Sequence, residues 1–539
     1  MTSKNTKDGS WVWWKHGTVY HIYPRSFYDS DSDGIGDIKG ILKKLPYLQK
    51  LGIDAIWLSP VYLSPQADFG YDVSDYYQID PIFGNFADFN KLVKEAHKLG
   101  IYLIMDMVLN HTSDQHPWFL ESRASLDNPK RDWYIWKEPN NGKLPNNWRN
   151  RFGGSGWEFD QTTRHYYYHS FLKEQPDLNW RNNEVKKAMF KALKFWLDLG
   201  VDGFRLDVIN FIVKDRKLRD DPSFLSQLLG TTTVFTHNRP KSLKILASLR
   251  KLLDQYPEKV SIGEIYMLPP GNPQLAASYL GDGTDSLHLA FDFSLAFKRW
   301  SAKKYTSAIQ NWMQAIPPQG WPCAVVSNHD LHRSYNRRVF RFFKEPKARL
   351  EAMLLFTIRG TPFIYYGQEI GMVNGRIPHR QIKDPIGKRF WPFYSGRDKA
   401  RTPMQWNGTK FAGFSETTPW LPVNPDYCVK NVETQWEQPH SMLQLYRQLI
   451  QLRRTYVAFT MGDFTWLHTG KKGVMAYERT YGEQKIHIYL NFTPFVKEIG
   501  QTYYSRWKLL ISTRQKTNRS AQSLIYLNPF EGVILRSLE

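Results

Sequence analysis

Three carboxylates stand at the ends of three short apolar runs: Gly203-Phe204-Arg205-Leu206-Asp207-Val208, Gly263-Glu264-Ile265-Tyr266 and Ser327-Asn328-His329-Asp330. Glycoside cleavage needs such a set, because one carboxylate must attack the anomeric carbon while one acid protonates the leaving oxygen. When the anomeric configuration is retained, the two groups lie about 5 Å apart. Arg205 stands two residues before Asp207, so on an extended strand both side chains leave by the same face. A guanidinium there favours the ionised form of the carboxylate beside it. A single Asp at a strand end is most often the cap of the helix that follows. Three such ends in one chain point instead to a shared pocket.

A second acidic cluster has a different character. In Asp29-Ser30-Asp31-Ser32-Asp33-Gly34-Ile35-Gly36-Asp37 carboxylates recur at every second residue around a glycine turn. Like charges this close repel unless a cation or solvent compensates, and hard oxygen donors suit Ca2+. The run begins like a helix-loop-helix calcium loop, but Gly40 occupies the twelfth place, where a bidentate glutamate would stand. Asp29, Asp31, Asp33 and Asp37 are therefore candidate ligands of a structural Ca2+, with Mg2+ as the alternative and an acidic solvated turn as the plain reading.

These residues need a scaffold, and the hydrophobic pattern supplies one. Apolar, β-rich runs occur at Thr18–Tyr23, Ile53–Leu58, Ile101–Val108, Val201–Leu206 and Val260–Gly263. Three more follow at Ser286–Phe291, Cys323–Ser327 and Pro362–Tyr366. Between them lie segments of helical period, such as Phe86–Leu99 and Val185–Leu199, the latter followed by Gly200 as a stop. Eight near-continuous apolar strands separated by helices predict an α/β fold of the closed parallel kind, a (β/α)8 TIM barrel. That fold places functional residues at the C-terminal ends of its strands, where the three carboxylates stand.

Two stretches break the alternation. Residues 111–176, rich in Trp, Asn, Gly, Tyr and Pro with little helical period, are predicted to form a small domain inserted after the third strand, over the barrel mouth. Asn374 to Pro439 is a second irregular stretch, followed by a helix at Ser441–Arg454. The barrel is accordingly expected to comprise 1–110 and 177–460, and alternating runs such as Val474–Tyr477 and Lys485–Asn491 predict a C-terminal antiparallel β-domain at 461–539.

Bulk properties exclude several classes. The 539 residues can bury a large core, and 42% are hydrophobic, an ordinary globular composition. No apolar run is long enough to span a bilayer, and Met1 to Ser10 is polar without a secretory pattern, so cytoplasmic residence is expected. Cys323 and Cys428 stand far apart and match no metal or redox spacing. A net charge of +21 could draw nucleic acid or anionic lipid. Its basic residues are scattered, however, apart from Lys214 to Arg219 and Arg333 to Arg341, and no nucleic-acid-binding motif accompanies them. The expected partner is an oligosaccharide, with neither nucleic acid nor membrane, and the expected state is a monomer with a dimer as the alternative.

From about Trp13 to Thr460 the sequence resembles the α-amylase-type glycoside hydrolases, and within them the oligo-1,6-glucosidase and α-glucosidase branch. Asp106-Met107-Val108-Leu109-Asn110-His111 is similar to the first signature of that family, and Gln175-Pro176-Asp177-Leu178-Asn179 to the signature of the branch. The resemblance implies Asp207 as nucleophile, Glu264 as general acid/base and Asp330 as the carboxylate that holds substrate hydroxyls and the transition state. It implies His111 and His329 as hydroxyl-binding histidines, and Asp68 and Tyr71 as the residues that grip and stack on the terminal glucose. Arg401, in Arg401-Thr402-Pro403-Met404-Gln405-Trp406, would close the pocket by pairing with Asp68. Phe152 and Phe171 would either face the second sugar or simply pack. The carbonyl of Ile35 would join the metal ligands.

A pocket closed by Asp68 and an arginine implies exo action, with release of glucose from a non-reducing end. In this branch valine directly after the nucleophile goes with α-1,6 preference, so Val208 implies isomalto-oligosaccharides and dextran fragments. The neighbours Ile265-Tyr266 and Leu331-His332 depart from the usual 1,6-glucosidase pattern and keep an α-1,4-preferring, maltase-type specificity open. So do glucosyl transfer and isomerisation, in which a sugar hydroxyl replaces water. An inactive binding partner, such as the heavy chains of amino-acid transporters, would lack the carboxylates and carry a membrane span, unlike this sequence.

Overall fold

The computed structural model describes residues 11–222, 235–266, 271–336, 343–500, 507–514 and 524–538. Residues 1–10 and the second half of the basic run Arg333 to Arg341 lie outside that set. Eight parallel strands form one sheet: β1 Val19–Ile22, β2 Ala55–Leu58, β3 Tyr102–Val108, β4 Gly203–Asp207, β5 Val260–Glu264, β6 Leu289–Phe291, β7 Cys323–Val325 and β8 Thr361–Tyr365. Each lies within two residues of an expected run, except that β6 begins three residues late. The order around the sheet runs β6-β5-β4-β3-β2-β1-β8-β7, so sequence neighbours pair everywhere and β1 joins β8. At the remaining seam β6 lies beside β7, and the Cys323 thiol donates to the Ala290 carbonyl at 3.1 Å. The sheet thereby curls into the barrel.

The strands are buried on both faces because their two sides meet different neighbours. Val19, Ala55, Trp57, Ile104, Ile262 and Phe291 share one cluster, the barrel interior. Tyr20, Ile56, Leu103, Phe204 and Leu206 belong to the larger cluster formed with the surrounding helices. Side chains alternate along a strand, so the inward set of β4 is Gly203, Arg205 and Asp207, and that of β5 is Val260, Ile262 and Glu264. Register then fixes height: Arg205 stands opposite Asp106 of β3 and Ile262 of β5. Polar groups therefore fill the top of the barrel, while Trp13, stacked 4.4 Å from Tyr102, belongs to the apolar cluster that fills it lower down.

The helices follow their predicted period. Phe86–Lys98 buries Phe89, Leu92, Val93 and Ala96, and its Asn85 cap forms a reciprocal box with Asp88. Asn183–Asp198 ends where Gly200 takes φ +98°, a left-handed conformation that disfavours a side chain. The stretch after β3 carries more order than its sequence suggested. Helix Pro117–Ala124 starts on His116, whose ring accepts from the Trp118 amide, with Pro117 at the first helical position. Eight residues are too few to print a helical period. A three-stranded antiparallel sheet follows, with Tyr166–Tyr168 between Trp136–Lys137 and Trp157–Phe159, and Trp148, Trp157 and Tyr168 pack together beside it. The stretch is tied down where it rejoins the barrel. His111 pairs with Asp177 as an isolated bridge, and Asp177 takes an ion pair from buried Lys214. Five antiparallel strands between Asp463 and Ser537 form the C-terminal sheet, and Lys497–Gly500 pairs separately with Leu524–Leu527.

Candidate active site

Arg205 lies fully buried at the centre of the barrel mouth. Its Nη1 lies 2.8 Å from Oδ1 of Asp106 and 2.8 Å from Oδ1 of Asp207, and its Nη2 reaches Oε2 of Glu264 at 2.5 Å. The guanidinium sits over Trp57, which stacks on His21 and donates its indole N–H to Asp106. One cation thus holds three carboxylates from three adjacent strands. The predicted pair, Asp207 and Glu264, is drawn together by a shared partner.

The backbone beyond Asp207 is bent to suit. Val208 takes φ +34° and ψ +44°, an uncommon conformation for a β-branched residue, and its N–H points to Oε2 of Glu264 at 3.3 Å. That turn seats the valine side chain against Phe152, Phe171 and Phe211. Phe152, Phe171, Val208 and Tyr266 all line the cavity of about 720 Å3 that opens above the carboxylates. The two phenylalanines pack together beside Val208 and also line the cavity.

Of the other predicted substrate-site residues, Asp68, Tyr71, His111 and Asp330 line the same cavity, and His329 and Arg401 contact them. The Tyr71 hydroxyl donates to Asp106 at 3.0 Å and lies 2.7 Å from Nε2 of His329, on whose ring Tyr71 stacks. His111 contacts the Tyr71 carbonyl at 3.1 Å, and Gln175 bridges His111 and Asp68. Asp330 lies within 3.3 Å of His329 and 2.8 Å of Arg401.

One predicted pairing is corrected. The partner of Asp68 is Arg397, whose Nη2 lies 2.6 Å from Oδ1. Arg401 instead donates to the His329 carbonyl and to Asp330. The two arginines flank a single short turn, Asp398–Ala400, and both reach Asp330, while Arg397 also pairs with Asp68. Arg397 and Gln175 were not among the residues singled out from the sequence. A second arginine four residues before Arg401 was the available signal for Arg397, and Gln175 opens the branch signature.

Burial dominates the electrostatics. It raises the Asp207 carboxyl well above its usual range, with Glu264, Asp106 and Asp330 adding to the rise and Arg205 opposing it. Burial likewise raises Glu264, again against Arg205. Three carboxylates on one guanidinium would carry two uncompensated negative charges, so the group retains a proton that belongs to the set. Burial would also raise Asp330, but His329, Arg397 and Arg401 outweigh it and hold this carboxyl below its ordinary value. His111 is lowered to about 4 and His329 to about 3 by burial, so both rings are neutral near pH 7.

In the acidic loop, carboxylate oxygens of Asp29, Asp31 and Asp37 lie within 4.8 Å of one another. Asp33 accepts from the Ile35 amide at 2.7 Å, as Asp29 accepts from the Asp31 amide at 3.2 Å, so both carboxylates brace the turn. Asp37 also caps helix Ile38–Leu51 through the Gly40 amide.

Comparison with known proteins agrees with this geometry. The α-amylase catalytic-domain family matches residues 21–462. An oligo-1,6-glucosidase from Parageobacillus thermoglucosidasius is 40% identical, with 97% of this chain and 99% of the relative aligned. A protein named a probable α-glucosidase, from Rhizobium meliloti (strain 1021), is 40% identical over 89% of each chain. The crystal structure of an α-glucosyl transfer enzyme, XgtA, superimposes with a TM-score of 0.91 at 37% identity, covering 98% of this chain and 100% of the other.

Removing Arg205 would leave its three buried carboxylates unpaired. Arg205→Ala is expected to lower unfolding stability by about 3–5 kcal/mol, as for other buried ion pairs that lose one partner, measured by urea denaturation. A change below about 1 kcal/mol, the scale of an exposed pair, would show that the carboxylates do not depend on it.

Proposed function

The chain belongs to the α-amylase family and is a glycoside hydrolase; from that premise we propose that it is an exo-acting, retaining α-glucosidase that releases glucose from non-reducing ends. The observation that carries this reading is the grouping of Asp207 and Glu264 on Arg205 beneath a mouth spanned by the Asp68–Arg397 pair. Asp207 attacks the anomeric carbon while Glu264 gives its proton to the glycosidic oxygen, and the aglycone leaves. Glu264, now a base, takes a proton from water, which displaces Asp207 and frees glucose in the original configuration. Burial raises both carboxyls, Asp207 as well as Glu264, so the pair keeps a proton to higher pH, and in this reading Glu264 carries it. Asp330, flanked by Arg401 and His329, faces the sugar as an anion and stabilises positive charge developing on the ring.

The linkage preference rests on the resemblance to the branch in which valine follows the nucleophile. Val208, with Phe152 and Phe171, lines the apolar side of the cavity where the second sugar would lie, and by that likeness it favours α-1,6 linkages as in isomalto-oligosaccharides. Ile265, Tyr266, Leu331 and His332 line the same cavity and are the residues through which an α-1,4 preference would act. Glucosyl transfer is the second reading, favoured by the likeness to a solved α-glucosyl transfer enzyme. The protein acts as a cytoplasmic monomer in this account, and two free cysteines fit a reducing compartment.

We also propose that the acidic loop takes a divalent cation, Ca2+ before Mg2+, on Asp29, Asp31, Asp33 and Asp37 with, by the resemblance, the carbonyl of Ile35; the grouped oxygens of Asp29, Asp31 and Asp37 support it. When bound, the ion would neutralise the carboxylates and clip the loop that starts helix Ile38–Leu51. It takes no part in the reaction.

Two measurements test these readings. Glucose release from isomaltose, maltose and sucrose is expected to favour isomaltose over maltose by about ten- to two-hundredfold in kcat/KM, the range one side-chain contact supplies. Preference for maltose would overturn the role of Val208, and predominance of transfer products at high substrate would favour the second reading. Chelation by EDTA is expected to lower Tm by a few degrees, with Ca2+ restoring it, since a ligand of the native state alone stabilises by mass action. A Tm indifferent to both would leave the loop a plain acidic turn.

A further inference from the structure

The pair that spans the pocket mouth has a third member. Asp384 is fully buried and shares Nη2 of Arg397 with Asp68. Its Oδ1 accepts from Nη2 of Arg397 at 2.8 Å and from Nε at 3.1 Å, and its Oδ2 accepts from the Arg397 backbone amide at 2.6 Å. One carboxylate therefore fixes both ends of the arginine. The same Nη2 that reaches Asp68 is the one Asp384 holds, and Nη1 lies 3.4 Å from Asp330.

The chain around Asp384 is shaped for this grip. Gly396 takes φ +75°, and a Cβ there would lie 2.3 Å from Oδ2 of Asp384, so no other residue leaves room for the carboxylate beside the Arg397 amide. Asp398 in turn accepts from the amides of Lys383 and Asp384 at 2.7 and 3.0 Å. The two short stretches, 383–384 and 396–398, are thus stapled by reciprocal carboxylate-to-amide bonds. Bonds of this kind, with one partner ionised, are the strong ones.

We propose that Asp384 is a positioning residue for the terminal-sugar grip: it holds Arg397 in the one orientation that reaches Asp68 and Asp330 together. This inference rests on the exo-glucosidase reading of the site. Arg397 has a long side chain with considerable rotamer freedom, and its contact with Asp68 alone would not order it. Asp384 removes that freedom before substrate arrives, so binding of the non-reducing glucose does not have to.

The test uses Asp384→Asn, which keeps the side-chain shape but turns an amide donor toward the Arg397 N–H groups or removes the charge they face. Measured on p-nitrophenyl α-D-glucoside, KM and the inhibition constant of glucose are expected to rise together by about tenfold or more, with kcat falling less. A 1 Å displacement of a binding group can cost up to about a hundredfold. In an Arg397→Ala background the same Asp384→Asn change is expected to add nothing, because the two residues act as a unit. Asp384→Glu is expected to recover part of the loss. A fall in Tm and active fraction with KM and glucose inhibition unchanged, or effects that add in the double variant, would overturn the proposal. Wild-type protein that releases no glucose from any α-glucoside would instead overturn the glucosidase reading itself, before Asp384 is reached.

Discussion

A guanidinium sealed inside a barrel has to be surrounded by negative charge, and most of this site follows from where Arg205 finds it. The cation is placed by alternation along β4, and parallel register sets Asp106 and Ile262 at its own height. Asp207 follows two residues later on the same strand, and Glu264 arrives one inward step above Ile262. Leaving any of these charges alone in the interior would be costly. Together they form a set that carries an excess of negative charge and a proton to share, which is the starting condition for acid and nucleophile to differ.

The loops above the barrel are arranged by the same logic of buried charge, at a greater distance in sequence. Asp68 and Arg397 are 329 residues apart and meet at 2.6 Å. The stretch after β3 is anchored by Asp177 on Lys214, with Asn110 joining both. The stretch after β3 and the loop that carries Arg397 are thereby fastened to the rim through ion pairs. The rim is built before a substrate enters, which is what a pocket relying on preorganised contacts requires.

How much of this was visible beforehand depended on the range of the interaction. The eight strands were legible because parallel strands buried on both faces read as continuous apolar runs. Asp207 and Glu264 were legible because the fold puts function at strand ends, and Arg205 because a spacing of two is a fixed geometric relation. Arg397 was missed, and Arg401 assigned its role, because the choice between two arginines four residues apart depends on a single turn and on Asp384, which also holds Arg397. Spacing alone marks all four aspartates of the acidic loop as metal candidates but does not show which of them also brace their own backbone, as Asp29 and Asp33 do. Helix Pro117–Ala124 was too short to show a period, although its proline and capping histidine were there to be read.

The central claim is that Asp207, held by Arg205 beside Glu264, forms the covalent bond to the sugar. Incubation with a slow-reacting 5-fluoro-α-D-glucosyl fluoride, followed by peptide mass mapping, tests it directly. The account predicts one added fluoroglucosyl group, on the peptide that carries Asp207. A label on Glu264 or on Asp330, or turnover with no covalent species and inverted product, would contradict it.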